Sequence, residues 1–157
     1  MPGAGKSTIG VVLAKMLGYQ FIDSDLLIQK EEKRKLSEII EQEGIEGFIE
    51  IENRINSQIE TEEHIIATGG SVVYGKEAME HLGKIGTVVY LRLSCEELSK
   101  RLGNLTCRGV VIREGQGLEA LYKERYPLYE KYAHITIDCE GLSIENLAQK
   151  VKSSLQM

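Results

Sequence analysis

Residues 3–8 of the chain read G-A-G-K-S-T, and this short glycine-rich stretch restricts the fold more than any other feature. It fills the second half of the phosphate-binding pattern G-x-x-x-x-G-K-[ST], in which a loop joins a buried strand to a helix. Glycines let backbone N–H groups approach phosphate oxygens, and the following helix turns its positive end toward the same anion. The stretch therefore predicts a nucleotide site in which Lys6 reaches the outer phosphates and Ser7 binds Mg²⁺.

The beginning of this pattern falls outside the sequence. Its first glycine would lie one position before Met1, and the strand ahead of that glycine would lie earlier still. The alternative is a flexible start followed by an ordinary helix. We expect a genuine phosphate loop in a natural chain that begins roughly 5–10 residues earlier, the length of one strand. In a chain that starts at Met1 we expect weak ATP binding, because the sheet lacks a strand and the loop lacks a glycine.

The composition is that of an ordinary globular domain. The chain has 157 residues, of which 42% are hydrophobic and 27% are charged, and this length fits one domain with its own core. The net charge of −5 argues against a general nucleic-acid surface, which needs a basic face. No apolar run reaches the length of a membrane span, and nothing at the start resembles a signal peptide. Because the three cysteines are scattered, at 95, 107 and 139, we expect a cytoplasmic protein.

Apolar periods and breaker residues divide the chain into alternating helices and strands. The predicted helices cover residues 7–17, 36–43, 46–61, 117–132 and 143–155, and another begins at the capping box of residues 94–97. The predicted strands cover residues 19–22, 64–67, 86–93 and 134–138. Residues 104–116 have no clean period and are predicted to form a mobile lid. This alternation predicts an α/β fold of three α/β/α layers around a mostly parallel sheet, with ligands beyond the carboxyl ends of its strands.

Two carboxylates, Asp23 and Asp25, follow the first predicted strand at alternate positions. Alternate side chains of an extended segment point the same way, so both would face a nucleotide held by the loop. One carboxylate could hold Mg²⁺ through its waters, and the other could accept a proton from an attacking hydroxyl. The alternative is that either residue only caps the next helix, which is a common role of Asp. For a pair behind a phosphate loop, we favour the functional interpretation.

Taken together, these motifs resemble the shikimate kinase family, small P-loop kinases of the nucleoside monophosphate kinase-like fold. The matching stretches are G-A-G-K-S-T, F-I-D-S-D, L-S-E-I-I-E-Q-E-G, A-T-G-G-S-V-V, N-L-T-C-R and E-R-Y-P-L-Y-E-K-Y-A. They run through nearly the whole chain in the family's order. The resemblance implies an enzyme that moves the terminal phosphate of ATP onto a hydroxyl of shikimate, a precursor of aromatic amino acids.

The resemblance also implies roles for individual residues. The catalytic residues would be Lys6, Asp25 and Arg108, and the magnesium ligands would be Ser7 and Asp23. The ATP-binding residues would be Gly3, Ala4, Gly5, Lys6, Ser7, Thr8 and Arg108. The shikimate-binding residues would be Asp25, Gly69, Gly70 and Arg125, in a region that includes the helices over residues 25–61. We expect residues 1–157 to form one domain that acts as a monomer.

The arginines have alternative explanations. Arg125 could pair with a glutamate on a solvated helix face, where such pairs contribute only ~0.3–0.5 kcal/mol. Its candidate partners are Glu119, Glu124 and Glu130. Arg101, Arg108 and Arg113 could likewise be solvated loop or helix charges, and the roles of Arg101 and Arg113 stay open.

The acceptor side departs from the family pattern at several places. The family motif F-R-x-x-E reads F-I-E-I-E here, so Ile49 replaces an arginine that grips the substrate carboxylate, whereas Glu52 remains. The loss of one charge-assisted contact costs on the order of 1.5–3 kcal/mol of binding. Arg54 is a poor replacement because it lies almost half a turn away around the helix. Ser71 stands where the family has a third glycine, and Gly109 replaces a proline in the lid.

Two other functions therefore stay open. The first is a kinase of the same fold with another small hydroxylated acceptor, such as a gluconate or a nucleotide. A nucleotide acceptor would ask for base-stacking side chains, yet the chain has two phenylalanines and no tryptophan. The second is a non-catalytic relative that binds a nucleotide or a protein. The survival of Lys6, Ser7, Asp23 and Asp25 argues against such a decayed site.

Overall fold

The computed structural model describes residues 4–101 and 117–155. The predicted lid over 104–116 lies outside the described residues, and so do Gly3, Arg108 and Arg113. The elements follow one another as α1 (Lys6–Leu17), β1 (Gln20–Asp23), α2 (Ser24–Glu32), α3 (Leu36–Asn56), β2 (His64–Ala67), a 3-10 helix (Gly70–Tyr74), α4 (Lys76–Ile85), β3 (Val89–Arg92), α5 (Cys95–Arg101), α6 (Leu118–Tyr132), β4 (Ile135–Asp138) and α7 (Ile144–Ser154).

Helix boundaries fall where the sequence places capping residues. The hydroxyl of Ser94 accepts a hydrogen bond from the Glu97 N–H at 3.1 Å and begins α5. At the start of α7, Ser143 accepts in the same way from Asn146. Helix α1 ends at Gly18, whose φ of 72° is a left-handed conformation that favours glycine. These contacts confirm the predicted starts of α5 and α7 and the predicted end of α1.

The structure confirms the predicted break at Gly44, whose φ of 76° and ψ of 173° are not helical, so α3 consists of two helical parts joined at a kink. It corrects the predictions in two other places. The second part of α3 ends at Asn56, five residues before the predicted end at Thr61. In addition, the sequence patterns did not predict the 3-10 helix or α4. Residues Ala78, Met79 and Leu82 form the buried side of α4, a spacing typical of an amphipathic helix.

The four strands form two separate parallel pairs. In the first pair, β1 lies beside β2 with Gln20 opposite His64 and Asp23 opposite Ala67. In the second pair, β3 lies beside β4 with Val89 opposite Ile135. Both pairings are parallel, as predicted, but the described strands are not hydrogen-bonded into a single sheet.

Two apolar clusters hold the elements in place. The larger cluster joins α1, α4, α6 and α7 to β3 and β4. The smaller cluster joins α2 to α3 through Ile28, Ile39, Phe48 and Ile55, which are at most 4% exposed. Burial at this level contributes on the order of 1.5–3 kcal/mol for each large side chain. Together the clusters fix the start of α1, the end of β1 and the residues after β2 around one polar region.

In the parts of the chain that the structure describes, no helix combines the length and apolar character needed to cross a bilayer.

Candidate active site

The described half of the phosphate loop is a sharp turn that leads into α1. Gly5 has φ 83° and ψ 22°, a left-handed conformation that side chains other than glycine rarely adopt. Its carbonyl accepts a hydrogen bond from the Ile9 N–H at 3.0 Å. The preceding Ala4 is buried, and Thr8 is exposed on the first turn of the helix. The turn therefore presents the N-terminal end of a 12-residue helix, a position suited to an anion.

Lys6 occupies the first position of α1 and is half-buried. Burial of its ammonium group lowers its pKa to about 8, although the nearby carboxylate of Asp25 opposes that change. At neutral pH the group therefore stays mostly charged. A desolvated ammonium near the start of a helix suits the outer phosphates of a nucleotide.

Ser7 and Asp23 meet directly, although 16 residues separate them in the chain. The Ser7 hydroxyl donates to Asp23 Oδ2 at 3.3 Å. The other carboxylate oxygen, Oδ1, accepts from the backbone N–H groups of Asp25 at 2.9 Å and Leu26 at 3.4 Å. Asp23 thus caps α2 with one oxygen and turns the other toward Ser7, so the two interpretations of this residue are compatible. A hydroxyl and a carboxylate oxygen are the kinds of ligand that Mg²⁺ prefers.

Asp25 lies in the first turn of α2 and is half-buried. Burial raises the pKa of its carboxyl above the ordinary value, the neighbouring Asp23 raises it further, and Lys6 opposes both. A carboxylate with a raised pKa is a better proton acceptor than an exposed one. This position of Asp25 beside Lys6 fits a general base at a phosphoryl-transfer site.

Gly69 brings the backbone against two acidic side chains. A Cβ atom at this position would lie 2.8 Å from Asp25 Oδ1 and 3.0 Å from Glu52 Oε2. A larger residue at this position would have to displace the carboxyl end of the Asp25 side chain and would crowd that of Glu52. Gly69 therefore lies next to Asp25, and the family resemblance implied that both residues bind shikimate.

Glu52 is a site residue that the predictions did not include. It is 1% exposed, and its Oε1 accepts a hydrogen bond from the Ser71 hydroxyl at 2.6 Å. Within the described part of the chain, its Oε2 has no hydrogen-bond partner. Burial raises the pKa of this carboxyl to about 7, despite the hydrogen bond from Ser71 that lowers it. The F-I-E-I-E motif, in which Glu52 is the acid shared with the family, could have indicated this residue. Nothing in the sequence indicated its contact with Ser71.

Arg125 is buried, with 1% of its surface exposed. Its Nε–H donates to Tyr74 Oη at 3.3 Å, and the guanidinium carbon lies 5.3 Å from the centre of the Tyr74 ring. One helical turn later, the Tyr129 hydroxyl donates to the Gly70 carbonyl at 2.7 Å and joins α6 to the 3-10 helix. The burial excludes a solvated ion pair as the explanation of Arg125. A buried guanidinium near Gly70 suits a carboxylate ligand.

Arg101 and Arg54 form ion pairs with glutamates, and Ile49, which replaces the arginine of the family motif, packs in an apolar cluster. Arg101 contacts Glu97 at 3.3 Å within α5, and Arg54 contacts Glu32 at 3.0 Å on the surface. Ile49 is half-buried and packs against the smaller apolar cluster. Arg54 is therefore engaged by α2 and does not replace the arginine of the family motif.

Glu52 should make the stability of the protein depend on pH. Its pKa lies at about 7 in the folded chain, against an ordinary value of 4.5. The folded state thus keeps a proton that the unfolded state releases, so this contribution is complete below pH 4.5 and is lost as the pH rises through 7. Urea unfolding at about pH 5 and about pH 8 should reveal a larger loss in the wild type than in Glu52→Gln.

A matched control for this experiment is Glu50→Gln, which changes an exposed carboxylate on the same helix. It should lose stability with pH as the wild type does. Equal losses in the wild type and Glu52→Gln would contradict the assignment of the raised pKa to Glu52.

Comparisons with known proteins agree with this geometry. The chain matches the family model described as shikimate kinase over residues 2–156. The curated shikimate kinase of Francisella tularensis subsp. holarctica is 36% identical over 157 residues, which cover 98% of this chain and 89% of that protein. The shikimate kinase of Thermodesulfovibrio yellowstonii is 38% identical over 152 residues, which cover 95% of this chain and 87% of that protein.

Solved structures show the same similarity. The shikimate kinase from Acinetobacter baumannii in complex with shikimate superposes with a TM-score of 0.89 and is 34% identical, and the match covers 98% of this chain and 88% of that chain. The shikimate kinase from Aquifex aeolicus superposes with a TM-score of 0.84 and is 28% identical, and the match covers 99% of this chain and 92% of that chain.

Proposed function

The chain belongs to the shikimate kinase family, and we propose that the side chains gathered around Lys6 and Asp25 transfer the terminal phosphate of ATP to a hydroxyl of shikimate. The observation that carries this proposal is the half-buried Asp25, which lies against Gly69 and interacts with Lys6. Asp25 supplies a proton acceptor and Lys6 supplies a phosphate-binding cation at the same place. These are the two functions that phosphoryl transfer asks of side chains near the reacting atoms.

In the proposed mechanism, each side chain has one task. Lys6 and the N–H groups at the start of α1 bind the outer phosphates of ATP. Asp25 orients the acceptor hydroxyl and takes its proton, while the oxygen forms a bond to the terminal phosphorus and the bond to the leaving ADP oxygen breaks. Ser7 and Asp23 would hold Mg²⁺, which neutralises phosphate charge when it is bound. Their contact at 3.3 Å supports this pairing.

The acceptor would lie between Asp25 and Arg125. The buried guanidinium of Arg125 would bind the carboxylate of shikimate, and the 3-10 helix that begins at Gly70 would form the wall of the pocket. Glu52, whose Oε2 lies 3.0 Å from the position of a Cβ atom on Gly69, would border this pocket. Gly3 and Arg108, which the sequence assigns to the nucleotide, remain proposals based on the resemblance, as does a monomeric, cytosolic enzyme formed by a single domain.

The proposal is tested by the release of ADP from Mg-ATP in the presence of different acceptors. Shikimate should stimulate release, whereas gluconate and a nucleoside monophosphate should not. Stimulation by one of those two acceptors alone would overturn shikimate as the substrate. Bound ATP without stimulation by any acceptor would favour the non-catalytic alternative.

Ile49→Arg should improve the binding of shikimate. Ile49 lies three residues before Glu52, so both residues lie on one side of α3, and a new arginine would add a second contact to the substrate carboxylate. We expect the KM for shikimate to fall about tenfold or more, since such a contact contributes about 1.5–3 kcal/mol.

The matched control is Ile51→Arg, which places the same charge in the same apolar cluster but on another side of the helix. It should not lower the KM. A KM that is unchanged in Ile49→Arg, or lowered equally by both substitutions, would contradict the placement of the acceptor beside Glu52.

A further inference from the structure

Two hydrogen bonds join the 3-10 helix to α6, one at each end of the 3-10 helix. At its first residue, the Gly70 carbonyl accepts from the Tyr129 hydroxyl at 2.7 Å. At its last residue, the Tyr74 hydroxyl accepts from the Nε–H of Arg125 at 3.3 Å. Arg125 and Tyr129 are one helical turn apart and share a face of α6. The wall of the proposed acceptor pocket is therefore attached to Arg125 through Tyr74.

Tyr74 contacts the Arg125 guanidinium with its ring as well as with its hydroxyl. The guanidinium carbon lies 5.3 Å from the centre of the ring, a distance typical of a cation–π contact. Arg125 is 1% exposed, so water competes only weakly with either contact. The ring restricts the plane of the guanidinium, and the hydroxyl restricts its rotation within that plane.

Tyr129 contacts the same guanidinium from α6. Burial raises the pKa of the Tyr129 hydroxyl to about 12, and the charge of Arg125 and a hydrogen bond with it oppose this change. An arginine side chain has many rotamers, and it loses freedom when it binds a ligand. A guanidinium that two tyrosines already hold costs less to order when a ligand arrives.

The Tyr74 contact determines which edge of the guanidinium can bind a carboxylate. An arginine can offer two parallel N–H donors from the side, through Nε and one terminal nitrogen, or from the end, through both terminal nitrogens. The Tyr74 hydroxyl takes the Nε–H, so the side edge loses one of its two donors. The end edge lies outside this contact. A carboxylate that makes two hydrogen bonds with Arg125 therefore has to bind end-on.

We propose that Tyr74 is a positioning residue for the acceptor, which holds Arg125 so that its two terminal nitrogens bind the acceptor carboxylate end-on. The inference rests on the proposed function, in which Arg125 binds that carboxylate. Tyr74 acts through Arg125 and does not itself contact the acceptor. The alternative is that Tyr74 only packs against α6, and its substitution would then lower the stability of the protein without changing the affinity for the carboxylate.

The Kd of shikimate, measured by titration calorimetry without ATP, tests the role of Tyr74. Tyr74→Phe keeps the ring and removes the hydroxyl. It should raise the Kd about two- to tenfold, the effect of one long side chain that must be ordered on binding. Tyr74→Leu also removes the ring and should raise the Kd further. In turnover, both variants should raise the KM for shikimate with a smaller effect on kcat.

The matched control is Tyr126→Phe, which makes the same chemical change on α6. Tyr126 is 38% exposed and stacks on Tyr122, and its substitution should leave the Kd of shikimate unchanged. A second control repeats Tyr74→Phe in the Arg125→Lys background. Because lysine has no Nε–H, the added substitution should change the Kd less than about twofold, and the double-mutant cycle should show coupling between the two residues.

Exchange of the Arg125 Nε–H, followed by NMR in the ligand-free protein, reports the contact without any substrate. It should be slower in the wild type than in Tyr74→Phe. Equal exchange, or an equal Kd of shikimate in these two proteins, would overturn the inference. An undiminished rise of the Kd in the Arg125→Lys background would also overturn it. A wild type that protects the Nε–H but binds no shikimate would contradict the proposed function, and the carboxylate role of Tyr74 with it.

Discussion

Asp25→Asn is expected to lower kcat for shikimate phosphorylation by about 10²–10⁴-fold, the usual contribution of a positioned general base. The substitution keeps the shape of the side chain beside Gly69 but removes the oxygen that can take a proton. Lys6, Ser7 and Asp23 remain in place, so the affinity for Mg-ATP should change little. The measurement is kcat from ADP release, together with the Kd of ATP from an equilibrium titration.

The matched control is Glu31→Gln, which removes an exposed carboxylate from the same helix. It should retain the wild-type kcat. If Asp25→Asn kept more than about a tenth of the wild-type kcat, Asp25 would not be the proton acceptor.

Arg125→Lys is expected to raise the KM for shikimate by about tenfold to a hundredfold, with a smaller effect on kcat. Lysine keeps the positive charge but loses the planar fork that binds both oxygens of a carboxylate. One lost charge-assisted hydrogen bond corresponds to about 1.5–3 kcal/mol, which gives this range. Because Arg125 is buried against Tyr74, the Tm of the variant should be measured beside its KM.

The control is Arg92→Lys, at a surface arginine that contacts Asp138 at 2.7 Å. It should leave the KM for shikimate unchanged. A wild-type KM in a folded Arg125→Lys variant would show that the carboxylate of the acceptor binds elsewhere.

Local patterns in the sequence were sufficient for much of the fold. Residues 64–67 form a predicted strand and are a strand in the structure, because a short apolar run there is bounded by polar residues and glycines. Ser94 and Ser143 begin helices by hydrogen bonds that span three residues. Because such contacts join residues that are close in the sequence, local sequence patterns can predict them.

Contacts between distant residues were harder to predict. The Ser71–Glu52 hydrogen bond joins side chains 19 residues apart, and no periodicity indicates it. The burial of Arg125 is similar, since its neighbours Lys123 and Glu124 are charged and give α6 the pattern of a surface helix. Only the resemblance to a family suggested its role.

The central claim is that this site transfers phosphate to shikimate, and the transfer of label from γ-³²P-ATP into shikimate tests it most directly. ATP should be raised until the rate no longer increases, so that weak nucleotide binding does not hide the reaction. We predict labelled shikimate phosphate from the wild type and almost none from Asp25→Asn. Saturable ATP binding by the wild type without label in shikimate would contradict the account.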